Sequence, residues 1–135
     1  MQKTFALIKP DAVAAGHTGA IISRIEKEGF KIAGMKKITI SKDQAEVFYG
    51  VHRSRPFFGE LVSFISSGPV VALALQKADA IPAWRDLMGA TNPAQAADGT
   101  LRKEFGTSIG NNATHGSDAA ETAQFELVLF FPELA

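Results

Sequence analysis

The amino-acid sequence predicts an α+β sandwich built on one antiparallel sheet of four strands, with helices on one face of the sheet. Three observations lead to this prediction. The 135 residues suit a single domain, residues 1–135, with its own core. Four short apolar segments are typical of strands, and segments with helical spacing lie between them. A small doubly wound fold is the alternative, and it fits less well because residues 89–117 form an irregular segment.

A proline and a glycine mark the limits of the first strand and the first helix. Thr4–Ile8 is a short apolar run that ends before Pro10, and proline readily ends a strand. Isoleucines at positions 21, 22 and 25 follow at helical spacing, with Thr18 as a possible cap and Gly29 as a stop. These signals predict a strand followed by a helix.

A change in the spacing of apolar residues predicts the second strand and the two helices after it. Between residues 30 and 40, isoleucine and phenylalanine fall on even-numbered positions, which predicts a half-buried strand with Gly34 as a possible bulge. Ser41 then begins a capping box for a helix with Ala45, Phe48 and Tyr49 on one face. A second helix carries an apolar stripe and stops at Gly68-Pro69. The stripe consists of Phe58, Leu61, Val62 and Ile65.

The C-terminal half is predicted to contain two strands, a helix and a long loop. Val70–Leu75 is continuously apolar, as expected of a central strand buried on both faces. Asp79 caps a helix that ends at Gly89, and residues 89–117 form a loop with a short helical patch at Leu101–Phe105. The last strand is predicted at Phe125–Phe131. This order of elements is typical of a ferredoxin-like sandwich.

Composition and charge exclude several classes of protein. The chain has no cysteine, which excludes disulfides, thiol nucleophiles and zinc sites held by cysteine. Its 14 basic residues balance its 14 acidic ones, whereas a general nucleic-acid binder should be basic. The longest uncharged stretch, Leu61–Gln76, has 16 residues, and a membrane span needs about 20. We therefore expect a cytoplasmic protein with neither a membrane partner nor a dedicated nucleic-acid partner.

The segment around His115 carries the strongest sign of chemistry. The sequence has no P-loop pattern, no dinucleotide-binding glycine motif and no paired histidines for zinc. Ser117 or Asp118 could cap a helix with Glu121 in its first turn, so His115 would lie just before a helix N-terminus. Free N–H groups there attract anions and keep an imidazole neutral, with a lone pair available to attack phosphorus. Gly116 would leave room for a bulky group. A loop histidine hydrogen-bonded for structure is the alternative.

Five motifs are spread along the chain: Lys9-Pro10-Asp11, Arg55-Pro56-Phe57-Phe58, Ser67-Gly68-Pro69-Val70-Val71, Gly89-Ala90-Thr91-Asn92-Pro93 and Asn112-x-x-His115-Gly116-Ser117-Asp118. Through these motifs the sequence resembles the nucleoside diphosphate kinases from Thr4 to Phe131. The resemblance implies a ferredoxin-like fold and transfer of the terminal phosphate of a nucleoside triphosphate to a nucleoside diphosphate. It implies a ping-pong route through a phosphohistidine, with Mg²⁺ carried on the nucleotide phosphates and no metal ligands from the protein.

The resemblance also implies roles for the residues around the phosphohistidine. His115 would be the nucleophile, Glu126 on the last strand would fix its tautomer, and Tyr49 would bring a phenol close to it. Gly116, Ser117 and Asp118 would support the site without binding substrate, with Ser117 bonded to Glu126. Two alternatives stay open, because Glu126 could be a solubility residue on an edge strand and Tyr49 could be a core residue.

A further set of residues would bind the nucleotide. Lys9 would contact the transferred phosphate and the ribose, and Asn112 would bond the ribose 3′-hydroxyl. Arg85 and Arg102 would clamp the phosphates, assisted by the hydroxyl of Thr91, although Arg85 could also be a solvated surface residue. Phe57 would stack on the base, and such stacking tolerates any base. The resemblance therefore implies broad base and sugar tolerance.

The C-terminus and the remaining alternatives complete these expectations. The chain ends at Pro132-Glu133-Leu134-Ala135, which is shorter than the tails of many such kinases, and a homo-oligomer is implied, with a hexamer slightly favoured over a tetramer. One alternative is a nucleotide-binding regulatory module without turnover, which would usually lack the histidine. Another is a single-stranded nucleic-acid binder, which would need exposed aromatic residues on its strands and a basic face.

Overall fold

A computed structural model describes residues 1–134, and they form one antiparallel sheet with helices packed on it. Within this range the sheet has four strands in the order β2-β3-β1-β4. The strands are β1 (Gln2–Ile8), β2 (Lys31–Ile38), β3 (Val70–Lys77) and β4 (Thr114–Gly116). Every pairing is antiparallel. The predicted α+β class and the four-stranded antiparallel sheet are confirmed.

Seven α-helices lie within the described range, and most of them begin and end near their predicted limits. They are α1 (Pro10–Ala14), α2 (Thr18–Lys27), α3 (Lys42–Phe48), α4 (Phe58–Ile65), α5 (Ala80–Met88), α6 (Leu101–Phe105) and α7 (Ala120–Phe130). Ser41 caps α3 as predicted, because its hydroxyl accepts a hydrogen bond from the Gln44 N–H at 3.1 Å. Thr18 and Asp79 were expected to cap their helices, but Thr18 is the first helical residue and the Asp79 side chain makes no capping bond.

The predicted bulge at Gly34 is present in the edge strand. The register between β2 and β3 shifts between Ile32 and Gly34. A Cβ at Gly34 would lie 2.9 Å from a ring carbon of Phe131, so the missing side chain also makes room for the C-terminal aromatic residue. The bulge therefore serves packing as well as strand geometry.

The predicted last strand, Phe125–Phe131, is wrong. Residues 125–130 belong to the helix α7 and Phe131 is its C-cap, while the fourth strand is the short β4, which lies inside the segment predicted as loop. A continuous apolar run reads equally well as a buried strand or a buried helix. The start of α7 also carries no signal, because Ala119 occupies the N-cap and no side chain caps the helix. The predicted caps at Ser117 and Asp118 are therefore wrong as well.

Helices cover both faces of the sheet, so the expectation of helices on one face is wrong. Strands β1 and β3 are apolar on both sides, and each side is buried under its own core. The first core joins Ala6, Ile8, Leu73, Ile21, Ile25 and Trp84, with contributions from α2 and α5. The second joins Phe5, Leu7, Ala72, Phe48, Val62 and Phe130, with contributions from α3, α4 and α7. Between residues 1 and 134, no helix has the length and apolar character that a membrane crossing requires.

Candidate active site

His115 lies in the middle of β4, and the register of this strand determines which way the ring points. His115 pairs with Leu7 of β1, and directly opposed residues project from the same face of a sheet. The imidazole therefore lies on the face of the second core, where its centroid is 4.9 Å from that of the Phe48 ring. Its side chain remains 23% exposed. The predicted position just before a helix is wrong, because α7 begins only at Ala120.

Glu126 reaches His115 from α7 and not from a strand. Its carboxylate is 5% exposed, and Oε2 lies 3.1 Å from His115 Nε2. The other oxygen, Oε1, accepts a hydrogen bond of 2.6 Å from the Ser117 hydroxyl. Because an ionised carboxylate only accepts hydrogen bonds, the contact places the ring proton on Nε2 and the lone pair on Nδ1. The structure thus contains the Ser117–Glu126 bond that the resemblance implied.

Tyr49 lies at the C-terminal end of α3, buried beside Phe48. Its ring centroid is 4.8 Å from that of Phe48, in an edge-to-face arrangement. Burial, together with the negative charge of Glu126, raises the pKa of the Tyr49 phenol to about 12. The hydroxyl therefore stays protonated at neutral pH and can donate a hydrogen bond near the site. Tyr49 is thus buried in the second core, as the alternative expected, and a contact of its phenol with His115 stays a prediction.

Lys9, Asn112 and Thr91 form a connected chain of contacts at the end of β1. The Lys9 ammonium donates to Asn112 Oδ1 at 2.8 Å, and the Asn112 amide donates to the Thr91 carbonyl at 3.0 Å. Burial and the nearby Arg102 lower the pKa of Lys9 to about 8, against a smaller opposing effect of Asp11. Two cations close together, Arg102 buried and Lys9 half-buried, favour an anion between them. Lys9, Asn112 and Arg102 therefore form a cationic and polar cluster at the end of β1 that attracts anions.

The two arginines differ in how they are held. Arg102 is buried, and its guanidinium donates to the carbonyls of Gly89 at 3.1 Å and Thr114 at 2.9 Å. Burial and the charge of Arg85 lower the pKa of Arg102 to about 10. Arg85 is 44% exposed and pairs with Asp118 at 2.8 Å. Arg102 thus also supports the backbone beside His115, whereas Arg85 is the more accessible cation.

Gly116 and Phe57 occupy different positions with respect to solvent. A Cβ at Gly116 would lie 2.4 Å from Trp84 Cδ1, so the expected space for a bulky substrate is wrong: the indole fills it. Trp84 Nε1 also donates to the His115 carbonyl at 3.2 Å. Phe57 precedes α4, is 41% exposed and packs against His52, with ring centroids 5.6 Å apart. Its free surface is available for stacking.

The sequence reasoning missed two residues that hold His115. Phe48 packs on the imidazole and Trp84 donates to the His115 carbonyl, yet the sequence predicted Phe48 only as part of the apolar face of a helix and indicated no site role for Trp84. Their only signal in the sequence was adjacency to Tyr49 and Arg85, which the resemblance had singled out. Among residues 1–134 there is no cluster of three or more histidine or acidic side chains that could hold a metal ion.

Comparison with known proteins gives a consistent result over the whole chain. A family model described as nucleoside diphosphate kinase matches residues 2–135. The chain is 61% identical to the nucleoside diphosphate kinase of Syntrophotalea carbinolica, covering 99% of this chain and 98% of that protein. It is 58% identical to the one from Desulfotalea psychrophila, with the same coverage.

Solved structures agree with the sequence comparisons. The Aquifex aeolicus nucleoside diphosphate kinase superposes with a TM-score of 0.96 at 44% identity, covering 98% of this chain and 96% of that chain. The Halobacterium salinarum enzyme in complex with CDP gives a TM-score of 0.93 at 43% identity, covering 96% of this chain and 87% of that chain.

Proposed function

This chain belongs to the nucleoside diphosphate kinase family and is therefore a phosphotransferase that acts on nucleotides, and we propose that it works through a phosphohistidine on His115. A nucleoside triphosphate would give its γ-phosphate to the protein, and a nucleoside diphosphate would then remove it. One observation carries the proposal: His115 Nε2 lies 3.1 Å from the buried carboxylate of Glu126, which leaves Nδ1 as the nucleophile.

In the first half-reaction the Nδ1 lone pair attacks the γ-phosphorus atom. The N–P bond forms while the bond from phosphorus to the β–γ bridging oxygen breaks, and the diphosphate leaves with that electron pair. The ring gains positive charge, and the Glu126 carboxylate opposite Nε2 stabilises it. In the second half-reaction, a terminal oxygen of the acceptor diphosphate attacks phosphorus and the electron pair of the N–P bond returns to Nδ1. No general base is needed, because the neutral imidazole brings its own lone pair.

Charged and polar groups around the ring would position the phosphates and the sugar. Lys9 and Arg102 would neutralise the developing charge, and their lowered pKa values support a pair of cations that an anion would relieve. Asn112 would bond the ribose 3′-hydroxyl, since it already holds the Lys9 ammonium. The Thr91 hydroxyl would donate to a phosphate oxygen. Such positioning and neutralisation supply most of the catalysis in phosphoryl transfer.

Phe57, Tyr49 and Arg85 would complete the site. Phe57 would stack on the base through its exposed face, and such a stack supports broad base and sugar tolerance. Tyr49, protonated at neutral pH, would donate a hydrogen bond close to His115. Arg85 would exchange its exposed partner Asp118 for a phosphate, because an ion pair this exposed contributes little stability.

Mg²⁺ would enter the site on the nucleotide. Lys9, Asn112 and Arg102 would supply cationic and amide donors, which fit phosphate oxygens and a phosphate-borne ion better than an ion held by the protein. Bound in this way, the ion would neutralise phosphate charge. We also propose a cytoplasmic homo-oligomer, with a hexamer slightly favoured over a tetramer. Exposed apolar side chains such as Met35 (54%) and Phe125 (48%) support association.

Labelling with γ-³²P-ATP tests the proposed function. After denaturing electrophoresis the protein should carry a label that is stable to alkali and labile to acid, and a nucleoside diphosphate should remove it. His115→Ala should abolish the label. His17→Ala, a control at a histidine distant in sequence from His115, should retain it. Nucleotide binding without any label would support the regulatory module instead. Label that persists in His115→Ala would refute the assignment of the nucleophile.

A further inference from the structure

The backbone just before His115 contains a conformation that an L-residue rarely adopts. Ala113 has φ of +73° and is fully buried. The Thr114 N–H donates to the Asn112 carbonyl at 2.9 Å, so a three-residue turn closes around Ala113. A γ-turn with positive φ is rare and strained, and a non-glycine residue can hold it only when its surroundings impose it. This turn joins Asn112 to the strand that carries His115.

The surroundings that impose the turn come from the segment after β1. Asp11 Oδ2 accepts a hydrogen bond from the Ala113 N–H at 3.1 Å, and the Lys9 N–H donates to the Ala113 carbonyl at 2.8 Å. Both polar groups of Ala113 are therefore held by residues more than a hundred positions earlier in the chain. Asp11 lies in the first turn of α1 beside Pro10, whose fixed φ makes this support rigid.

The two carboxylate oxygens of Asp11 differ in their contacts. Oδ1 is buried and has no hydrogen-bond partner within the described part of the chain. A buried acceptor without a partner lowers stability. What the carboxylate contributes is the bond to Ala113, together with a negative charge close to Lys9.

We propose that Asp11 is a positioning residue for the phosphotransfer of this chain: it holds Ala113 in its left-handed turn and so determines where Asn112 and His115 stand. The inference rests on the proposed function. Strand β4 pairs with β1 through only three residue pairs, one of them formed by His115. If the turn at Ala113 relaxed, the imidazole of His115, two residues further along the chain, would therefore be displaced. Displacing a reacting group by about 1 Å can slow a reaction about 100-fold.

The test compares Asp11→Ala with a matched control in single-turnover labelling by γ-³²P-ATP. Asp43→Ala is the control, because Asp43 also lies in the first turn of a short helix and is exposed. Asp11→Ala should slow labelling of His115 about 10- to 100-fold, and Asp43→Ala should leave it unchanged. Asp11→Asn retains an acceptor for the Ala113 N–H and should recover most of the rate.

A double-mutant cycle separates positioning from general damage to the fold. Glycine adopts positive φ without strain, so Ala113→Gly should restore much of the rate that Asp11→Ala removes. An equal loss with and without Ala113→Gly, or a wild-type rate in Asp11→Ala, would overturn the proposal. If Asp11→Ala does not fold, Asp11→Leu, which keeps a side chain of similar size but lacks an acceptor, replaces it in the cycle under the same criterion.

A readout that does not depend on turnover distinguishes this inference from the proposed function. The ¹⁵N shifts of the His115 ring report its tautomer, and they should change in Asp11→Ala and return towards wild type with Ala113→Gly. Unchanged shifts in Asp11→Ala would overturn the positioning role. Absence of label in the wild-type protein would instead refute the phosphohistidine, whatever the shifts show.

Discussion

Replacing Glu126 tests the contact on which the proposed chemistry depends. Glu126→Ala removes the acceptor from both His115 Nε2 and the Ser117 hydroxyl, at 3.1 and 2.6 Å. A hydrogen bond to a charged group contributes about 1.5–3 kcal/mol. If this bond stabilises mainly the transition state, in which the ring gains charge, phosphorylation of His115 should slow about 10- to 150-fold in Glu126→Ala. Nucleotide binding should change far less, because Glu126 faces the ring and not the phosphates.

Quench-flow measurement of ³²P transfer from ATP to the protein gives this rate directly. Glu121→Ala is the matched control, since Glu121 lies on the same helix and is exposed. Glu126→Gln keeps the volume and removes the charge, so its rate should lie between those of wild type and Glu126→Ala. A wild-type rate in Glu126→Ala, with the fold intact by circular dichroism, would refute the role of the carboxylate.

Two further predictions concern stability. Gly116→Ala forces a Cβ to within 2.4 Å of Trp84, and such overpacking should lower the free energy of unfolding by about 1–3 kcal/mol. Urea unfolding can be monitored by the fluorescence of Trp84, the single tryptophan of the chain. A urea midpoint equal to that of wild type would contradict the prediction. Burial lowers the folded-state pKa of Lys9 from its ordinary value of 10.5 to about 8. Between these values the unfolded chain binds more protons, so stability should rise with pH through this window. Lys9→Met should flatten that rise in urea titrations, and an equal slope in both proteins would count against the lowered pKa.

Elements with two independent local signals could be predicted from the sequence. Helix α4 combines an apolar stripe with a Gly-Pro stop, and α3 has a serine cap that the structure confirms. Strand β3 begins with an uninterrupted apolar run, Val70–Leu75, of the length typical of strands. In each case the local preference and the tertiary environment agree, and the predicted limits are close to the observed ones.

The strand that carries His115 could not be predicted because its cause is not local. Residues 114–116 form a strand only through pairing with β1, and the turn before them depends on Asp11, which is distant in sequence. The residue in that turn is an alanine, whereas a glycine there would have indicated a positive φ from the sequence. The same applies to Gly116, whose missing side chain is explained by an indole from α5. Long-range contacts of this kind leave no periodic pattern.

The error at α7 shows how the correct period would have identified Glu126 without any resemblance. Read as a strand, this segment places Glu126 between apolar neighbours with no reason for its charge. Read as a helix, it places Ala123, Glu126 and Phe130 on one buried face, and a carboxylate is then the one charged group in an apolar stripe. Burying a charge is costly unless a donor satisfies it. Such a stripe requires a partner on the opposing surface, and here the partners are the Ser117 hydroxyl and the His115 ring. The helical period alone therefore singles out Glu126 as a buried charge that needs a partner, and the structure identifies that partner as the His115 ring and the Ser117 hydroxyl.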